Sequence, residues 1–348
     1  MSPGQPGRAP GRGGETLAWR LFWLAMAVTL AVCAWDFSGR WHTPGHELRN
    51  FIMLGLYWGP KLAGPFLLWG LVAHALGHTG WARLKALLAL AFVLVGLWAS
   101  WVEPFGQRTR LTTLTGIPEG AQPLRLAVLA DIHWGLFYRD FQLQQLVNTL
   151  NDMDVDAVLV AGDWVHDPQW DLEAGLGPLA DIRHPVFAVL GNHDTKAPGP
   201  DLTGPLREAL RTHGVRLIEG EVVDFKGWQL AGLSDLWGAR PLADVQSLWP
   251  HGQSVPPRLV LVHQPDTMNL LPQGAAFLAF AGHTHGGQIW IPGFTPWFVR
   301  QTNTTRPWVN GLYDTPAGRL LVTPGLGTIG LPARLGVWPT IELVELRD

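Results

Sequence analysis

The sequence of 348 residues has a single cysteine, Cys33, which excludes an intrachain disulfide. Cysteine usage also gives no indication of the redox compartment, because Cys33 lies inside an apolar run. An excess of basic charge is missing too, since 25 Lys and Arg residues stand against 28 Asp and Glu residues. The sequence therefore lacks the general signature of a polyanion-binding protein, and it indicates no specific nucleic-acid or protein partner.

Charged residues of both signs make up only 15% of the sequence, which is few for a wholly soluble protein. The apolar residues are concentrated near the N-terminus, which indicates membrane segments. We detect no internal repeat, and the length suits one large domain plus a further region. We therefore divide the chain into a disordered tail rich in Gly, Pro and Arg (1–16), a transmembrane region of about three helices (17–102), a linker (103–123) and a catalytic domain (124–348).

Three apolar runs predict the membrane-spanning helices. The first run, Leu21 to Trp35, is shorter than the roughly 20 residues that a bilayer requires. Extending the run back to Leu17 brings it close to that length. The second is predicted from Leu62 to His78, because a lysine such as Lys61 costs on the order of 3 kcal/mol at mid-bilayer and is better placed at the interface. The third runs from Ala86 to Val102, with charged residues on both flanks.

The first run has a competing interpretation as a cleaved signal peptide, because arginines precede it and small residues lie within it. Further apolar runs follow, which favours a membrane anchor. The numbers of basic residues predicted on the two sides of the membrane differ by only one. This small difference leans toward a cytoplasmic N-terminus, because basic residues are more frequent on the cytoplasmic side. We therefore expect an integral protein of the cell membrane with two to four spans, whose catalytic domain leans to the extracytoplasmic side.

From Leu124 onward, short apolar runs alternate with loops and a few helices. Leu124 to Ala130, Ala157 to Ala161 and Val186 to Leu190 predict buried strands, and Phe141 to Asp152 predicts an amphipathic helix. This alternation is typical of an α/β sheet. Two packed sheets are expected, because further strands are predicted at 228–232, 258–263, 277–281, 319–323 and 340–346.

Polar clusters follow five of these predicted strands, at the point where each strand ends. In α/β folds this edge of the sheet is where sites are built. Glycines beside the polar residues allow sharp turns and close approach of a substrate. The clusters are Asp131-Ile132-His133, Gly162-Asp163, Gly191-Asn192-His193-Asp194, His263 and the segment Gly282-His283-Thr284-His285-Gly286-Gly287-Gln288.

Each cluster alone has an ordinary structural explanation. Gly162-Asp163 suits a turn or a helix cap, and a lone histidine such as His263 is more often a satisfied core residue. The pair His283 and His285 favours metal binding or catalysis, since alternate residues of an extended segment project from one face. Carboxylate and imidazole ligands without thiolate suit Mn²⁺, Fe or Zn²⁺ and argue against a structural zinc site. The presence of all five clusters in this order along the chain outweighs the separate structural explanations.

The order D-x-H, GD, GNHD, H and GHTH resembles that of the calcineurin-like metallophosphoesterase superfamily, from about Leu124 to Asp348. The GHTHGGQ segment, the N-terminal spans and the stretch from Gly325 to Gly336 are similar to its membrane-anchored branch, often grouped with UDP-2,3-diacylglucosamine pyrophosphatase-like phosphohydrolases. The resemblance implies an α/β fold in which two sheets form an α-β-β-α sandwich. It also implies a hydrolase with two divalent metal ions, Mn²⁺ being expected and Fe or Zn²⁺ the alternatives.

The resemblance assigns a metal role to seven of the motif residues. In the family pattern one carboxylate bridges the two ions, and this position is Asp163. The residues implied for the first ion are Asp131, His133 and His285. Those implied for the second ion are Asn192, His263 and His283.

Two such ions, about 3.5–4 Å apart, lower the pKa of a bridging water, so the expected mechanism is attack of a metal-bridged hydroxide on phosphorus. His193 is expected to act as general acid toward the leaving oxygen, with Asp194 orienting its ring. We expect His166, Asp167 and Arg334 to be surface residues or to support the ligands.

Membrane attachment favours a phosphorylated, lipid-linked substrate and the bilayer as partner, although a small-molecule phosphoester remains open. The alternatives are a phosphodiesterase acting on cyclic nucleotides or other soluble phosphoesters, a metal-binding scaffold without catalysis, and a transporter or channel. The last is disfavoured because the spans carry no polar network beyond Lys61. The aromatic residues Trp134, Phe137 and Tyr138 could stack on a base or guide an acyl chain, or else pack locally.

Overall fold

The computed structural model describes residues 12–41, 45–195, 201–238, 240–250, 256, 258–302 and 304–348. The chain falls into two compact units. The N-terminal helices and residues 331–333 form the first, and residues 40–47, 103–330 and 334–348 form the second. Residues 1–11 of the predicted tail lie outside the described residues, and the first helix begins at Arg12, within that predicted tail.

The first unit consists of helices α1 (Arg12–Ser38), α2 (Glu47–Leu62), α3 (Gly64–Gly77) and α4 (Gly80–Trp101). Two segments, Gly13–Ser38 and Gly80–Phe105, are long and apolar enough to cross a membrane, and they include the first and third predicted spans. The second predicted span is instead part of the pair α2 and α3, which is bent by 55°. Pro65 in the first turn of α3 explains the break, because proline lacks an N–H donor and clashes with a preceding helical turn.

The second unit is built on two six-stranded sheets. In the first sheet all neighbours are parallel except β14 and β2, and in the second only the two edge pairs are antiparallel. The first sheet has the order β1 (Arg108–Thr115), β14 (Thr340–Arg347), β2 (Leu124–Leu129), β4 (Ala157–Ala161), β6 (Val186–Val189) and β7 (Val215–Leu217). The second has the order β12 (Gly311–Thr315), β13 (Gly318–Val322), β11 (Ala276–Ala281), β10 (Arg258–Leu261), β9 (Trp228–Gly232) and β8 (Val222–Phe225). Strands β3 (Trp134–Gly135) and β5 (Val165–His166) form a separate parallel pair.

Helices cover the outer faces of both sheets. One apolar core lies between the sheets, where Leu126 and Leu159 of the first meet Leu261 and Phe280 of the second. A second core packs α5 and α8 against the first sheet, and a third packs α9 against the second. The helices of this unit are α5 (Asp140–Asn151), α6 (Leu172–Gly175), α7 (Asn192–Thr195), α8 (Thr203–Thr212), α9 (Pro241–Leu248) and α10 (Phe294–Thr302). The predicted α-β-β-α sandwich is confirmed.

The segment predicted as a linker, 103–123, differs from the prediction. It contains β1, which pairs with β14 at the edge of the first sheet, and residues from Glu103 onward belong to the second unit. The reason lies in exposure, because only Leu114 of β1 is fully buried. Such an edge strand has polar residues on both faces and lacks the apolar run that marks the buried strands.

Candidate metal centre

The polar clusters meet at one edge of the sandwich. In the first sheet, Asp131, Asp163 and Asn192 follow the neighbouring parallel strands β2, β4 and β6. In the second sheet, His263 and His283 follow the neighbouring strands β10 and β11. Carboxyl ends of parallel strands lie at the same sheet edge, so the two sheets together bring the side chains into one buried site.

One buried group combines Asp131, His133 and His285, whose ligand atoms all lie within 4.8 Å of one another. The Nε2 atoms of His133 and His285 are 3.1 Å apart, and His285 Nε2 is 3.7 Å from Asp131 Oδ1. The two imidazole rings stack with an interplanar angle of 18°. This arrangement points both Nε2 atoms and a carboxylate oxygen at a common position.

A second buried group combines Asp163, His263 and His283. His263 Nε2 lies 3.2 Å from Asp163 Oδ2 and 3.3 Å from His283 Nδ1. The side-chain oxygen of Asn192 joins the group, at 3.0 Å from His263 Nε2. The other nitrogen of His263 hydrogen-bonds the carbonyl of Ala161 at 2.8 Å, which fixes the ring orientation.

Asp163 connects the two groups through one oxygen atom. Its Oδ2 lies 3.2 Å from His263 Nε2 and 3.5 Å from His133 Nε2. Its other oxygen, Oδ1, accepts a hydrogen bond of 2.9 Å from the backbone N–H of His193. A carboxylate oxygen that lies between two groups of donor atoms has the position expected of a bridging ligand.

The backbone conformation of these residues is strained. Positive φ angles between 50° and 70° occur at five of the residues that form the two groups. Such angles are uncommon for residues other than glycine, and strain of this kind concentrates at functional sites, where each instance costs on the order of 1–3 kcal/mol. The five residues are Asp131, His133, Asp163, His283 and His285.

Two glycines allow the close approach that the site needs. A Cβ atom on Gly191 would lie 2.2 Å from Asp163 Oδ1, and one on Gly282 would lie 2.6 Å from Asp131 Oδ2. Both distances are far below van der Waals contact. The sequence predicted that these glycines allow sharp turns and close approach of a substrate; in the structure they make room for the carboxylates of the other loops.

The electrostatics of the site follow from burial and from the mixture of carboxylates and imidazoles. Burial raises the pKa of Asp131 to about 7 and lowers the pKa of both His133 and His285 well below the ordinary value. Burial would also lower the pKa of His263, but the Asp163 carboxylate raises it to about 10. The pKa of Asp163 itself is held well below its ordinary value by the imidazoles around it, despite burial.

The residues present fit divalent metal ions. Histidine binds metal as a neutral imidazole, and aspartate binds it as a carboxylate. Asp163 contacts both groups, so the donor atoms of the two groups form one cluster. Oxygen and nitrogen donors without thiolate suit Mn²⁺, Fe or Zn²⁺.

His193 lies beside the donor set, with its ring centroid 4.9 Å from that of His133 and 5.2 Å from that of His166. The role predicted for Asp194 requires correction. Its carboxylate accepts hydrogen bonds of 2.9–3.1 Å from the backbone N–H groups of Trp164, Val165 and Gly191. Asp194 therefore holds the Asp163 loop and the Asn192 loop together and does not orient the ring of His193.

The three residues expected either at the surface or in support of the ligands are all buried. His166 and Asp167 are both buried, 3.5 Å apart, next to His193. Arg334 is fully buried and donates hydrogen bonds to backbone carbonyls of the 324–327 and 337 segments. Gly325 and Gly327 of that loop lie directly against Asp131 and His133. Arg334 thus stabilises the loop that backs the first group.

Two contributors to the site carry no sequence signature. Arg40, between α1 and α2, is buried and donates a hydrogen bond to the carbonyl of Asp167 at 3.3 Å. Trp237, half-exposed, contacts the ring of His283 edge-on at 5.0 Å. Neither lies in a motif, and only the folded chain brings them near the ligands.

The aromatic residues Trp134, Phe137 and Tyr138 pack locally. All three are buried, and the indole N–H of Trp134 donates to Asp140 Oδ1 at 2.8 Å while the hydroxyl of Tyr138 donates to the carbonyl of Gln142. Of the alternatives that the sequence left open, local packing is the one observed: Trp134 and Tyr138 belong to the core beneath α5, and the ring of Phe137 lies 5.9 Å from that of His166.

The comparisons with known proteins agree with this geometry. Residues 124–287 match the family model of the calcineurin-like phosphoesterases. The chain carries a calcineurin-like phosphoesterase domain. The matched segment contains both metal-binding groups of this metallophosphoesterase, so the prediction of a dinuclear metallophosphoesterase that hydrolyses phosphoester bonds is confirmed.

Relatives of this metallophosphoesterase come from bacteria and vertebrates. It is 28% identical over 240 residues to phosphodiesterase YaeI of Escherichia coli, covering 66% of this chain and 84% of that protein. It is 27% identical over 268 residues to a metallophosphoesterase of Helicobacter pylori, covering 74% of this chain and 70% of that protein. A transmembrane protein with metallophosphoesterase domain from Danio rerio is 28% identical over 251 residues, which cover 67% of this chain and 55% of that protein.

Proposed function

We propose that this metallophosphoesterase acts at a membrane surface and hydrolyses the phosphoester or pyrophosphate bond of a lipid-linked substrate. The observation that supports the chemistry is the position of Asp163, whose single Oδ2 atom faces His133 on one side and His263 on the other. Only a carboxylate in this position can serve both donor groups at once.

The proposed ligand sets follow from the two groups. Asp163 is shared between them, and Mn²⁺ is the proposed metal, with Fe or Zn²⁺ as alternatives. When bound, two such ions supply Lewis acidity toward the phosphoryl oxygens and activate a water. The first set is Asp131, His133, Asp163 and His285, and the second is Asp163, Asn192, His263 and His283.

We assign the general acid to His193. Its backbone N–H donates to Asp163 Oδ1, which ties the position of the residue to the bridging carboxylate. The residue is 8% exposed, more than any of the seven proposed ligands, so it lies on the solvent side of the buried donor set. A proton held there is placed to reach the leaving oxygen of a substrate bound over the centre.

The membrane location of the substrate rests on the N-terminal helices. Two segments are long and apolar enough to cross a bilayer, and relatives are named as transmembrane proteins with this domain. A catalytic domain attached to a bilayer meets lipid-linked phosphates at high local concentration. One observation favours a second candidate, a soluble phosphodiester such as a cyclic nucleotide, since the E. coli relative is named a phosphodiesterase.

A head-to-head assay tests the substrate. The full chain in detergent with Mn²⁺ is given UDP-2,3-diacylglucosamine, cyclic nucleotides and bis-p-nitrophenyl phosphate at equal concentrations. We expect the highest kcat/KM for the lipid-linked pyrophosphate, and a preference for soluble diesters would overturn the lipid proposal.

Two variants show whether the measured hydrolysis belongs to this centre. Asp163→Asn should abolish turnover of all three substrates, while Asp181→Asn, which changes an exposed carboxylate, should leave it unchanged. Bound metal without hydrolysis of any substrate would instead support a scaffold without catalysis.

A further inference from the structure

An exposed aromatic surface adjoins the metal centre. It is formed by Trp290, Ile291, Phe294, Trp297 and Phe298, which are all between 43% and 57% exposed, and we call it the α10 face. The rings of Phe294 and Phe298 stack at 5.9 Å, and Trp297 lies 5.7 Å from Phe294. Large apolar side chains grouped on a surface in this way mark an interaction site.

The α10 face is rigidly connected to the loop that carries His285. The buried side chain of Thr295 accepts a hydrogen bond from the backbone N–H of Ile291 and donates one to the carbonyl of Ile289, both at 2.7 Å. Thr295 and Val299 also pack against Gly287, where a Cβ atom would lie 2.2 Å from Thr295 Cγ2. A partner on the α10 face is therefore held two residues from a proposed ligand.

The segment of chain that forms the α10 face carries charge of one sign. Between Asp266 and Asp314 the sequence has no acidic residue. Arg300 at the end of α10 and Arg306 just after it are both exposed. One carboxylate, that of Asp266, lies next to this segment and accepts hydrogen bonds from Thr304 and Thr305. Apolar aromatic residues combined with exposed arginines are typical of elements that lie in the interface of an anionic bilayer.

A bilayer is within reach of this unit by chain connectivity. Helix α4 ends at Trp101, and the catalytic unit begins at Glu103 without a spacer. Tryptophan prefers the headgroup layer, because its ring is apolar and its indole N–H is polar, and phenylalanine is common on the apolar face of helices that lie in the interface. These observations favour lipid over a protein partner as the occupant.

We propose that the α10 face inserts into the headgroup layer of an anionic lipid bilayer, with Arg300 and Arg306 facing the lipid phosphates. The consequence is that the His285 side of the metal centre opens next to the membrane surface. This contact does not depend on which phosphoester is the substrate, and it can be tested without any substrate.

A site-specific fluorescent probe tests the contact. In the full chain with Cys33→Ala, a single cysteine is introduced by Trp297→Cys or, separately, Phe294→Cys, and is labelled with an environment-sensitive dye. The control is Gln273→Cys, at an exposed position just before β11. The six residues of β11 rise about 3.3 Å each, so Gln273 lies roughly 20 Å from the end of the strand that leads to the ligands. The labelled proteins are reconstituted in liposomes of phosphatidylcholine and phosphatidylglycerol that carry a shallow spin-labelled quencher lipid.

We expect strong quenching of the dye at 297 and at 294, and little at 273. Equal quenching at all three sites, or none at 294 and 297, would overturn the proposal. Protection of the dye from aqueous iodide without quenching by the lipid, together with cross-linked dimers, would assign the face to a second copy instead. Hydrolysis of bis-p-nitrophenyl phosphate at unchanged rate verifies that each labelled protein is folded and metal-loaded.

Discussion

At the scale of single residues, His193 is the side chain whose proposed role is separable from metal binding. Replacing it by alanine removes a proton donor and leaves the seven proposed ligands in place. We expect turnover of a substrate with a poor leaving group to fall by about 10²–10⁴-fold, the usual contribution of general acid catalysis. Turnover of a p-nitrophenyl ester, whose leaving group needs no proton, should fall much less. Steady-state rates for the two substrates and the metal content of His193→Ala check this prediction.

The matched control is His213→Ala, which removes a half-buried histidine at the end of α8 whose Nε2 hydrogen-bonds the carbonyl of Glu173 in α6. It should behave as the unmodified protein with both substrates. A His193→Ala protein that retains full rate on the poor leaving group would assign the acid to another residue, and one that has lost its metal would make His193 a structural residue.

Asp194 is predicted to act through stability. Its carboxylate accepts three buried backbone hydrogen bonds, and in Asp194→Ala these donors have no acceptor. A buried donor left without a partner costs about 1–3 kcal/mol. We expect a large drop in the free energy of unfolding, measured by urea denaturation of the detergent-solubilised protein, with Asp194→Asn losing less because one side-chain oxygen remains. Normal stability combined with slow turnover would instead restore the ring-orienting role that the sequence suggested.

The individual site residues also show how much of the metal centre could be predicted from the sequence. Asp131, His133, Asp163, Asn192, His263, His283 and His285 were all found from the motifs and all lie in the site, because each follows directly on an apolar strand whose end is easy to recognise. The role of Asp194 was not predictable in the same way, since a carboxylate next to His193 in sequence points elsewhere in space. Arg40 lies more than a hundred residues away from Asp167, and no spacing rule connects the two.

At the scale of elements, the segment between α1 and α2 is part of the catalytic unit. Trp41 N–H donates to the carbonyl of Pro168 at 2.9 Å, Arg40 forms an antiparallel bridge with Gln169, and the ring of Trp41 lies 4.4 Å from that of Trp170. The loop that follows His166 is thus held by residues from the N-terminal part of the chain. Residues 40 and 41, from the N-terminal part of the chain, therefore contribute to the surroundings of the site.

Arg40→Met tests this contribution. Because the variant removes a buried guanidinium that hydrogen-bonds the Asp167 carbonyl, we expect a loss of about 1.5–3 kcal/mol in stability, the usual range for a hydrogen bond to a charged group. Release of the 166–170 loop should also lower kcat. Arg40→Lys keeps the charge and should recover part of both. Thermal unfolding and steady-state kinetics check the outcome, with exposed Arg183→Met as control. Unchanged kcat in Arg40→Met would confine Arg40 to a purely structural role.

Among the elements, the buried strands were predictable and the edge strands were not. β2, β4, β6, β10 and β11 are almost wholly buried and appear in the sequence as short apolar runs. β14 is also mostly buried, and its apolar residues are interrupted by Glu342 and Glu345. β1 and β12 lie at sheet edges with alternating exposure, and their sequences contain too few apolar residues to be distinguished from loops. The bend between α2 and α3 depends on two prolines, Pro60 and Pro65, whose effect on helix direction is not readable from hydropathy.

At the scale of the whole molecule, the metal centre should couple catalysis to stability. A ligand that binds only the folded state stabilises it, by about 2.7 kcal/mol at a free concentration 100 times its dissociation constant. We expect EDTA to abolish hydrolysis and to lower the unfolding temperature of the catalytic unit, with Mn²⁺ restoring both. In the Asp163→Asn protein the same treatment should shift the unfolding temperature much less. An EDTA-insensitive unfolding temperature in the unmodified protein would show that the fold does not depend on the ions.

The membrane topology follows from where the catalytic unit connects to the helices. Residues 40–47, after α1, and residues from 103, after α4, belong to the same compact unit, so we expect both helices to end on the same side of a bilayer. A crossing α4 begins at Gly80 on the opposite side, next to Gly77 where α3 ends. The pair α2 and α3 begins on the catalytic side at Glu47 and must therefore cross too. The bent pair is accordingly expected to be one broken span, which gives three spans and an N-terminus opposite the catalytic unit.

Protease treatment of sealed right-side-out vesicles tests this topology, using full-length protein with an epitope tag at the N-terminus. The flanking basic residues favour a cytoplasmic N-terminus by a single charge. We therefore expect digestion of the catalytic unit and protection of the tag, with both cleaved after lysis and a cytoplasmic marker protein as control. The reverse pattern would keep three spans and overturn the external location. Both ends cleaved, or both protected, would contradict three spans, because only an even number of crossings leaves the tag and the catalytic unit on one side.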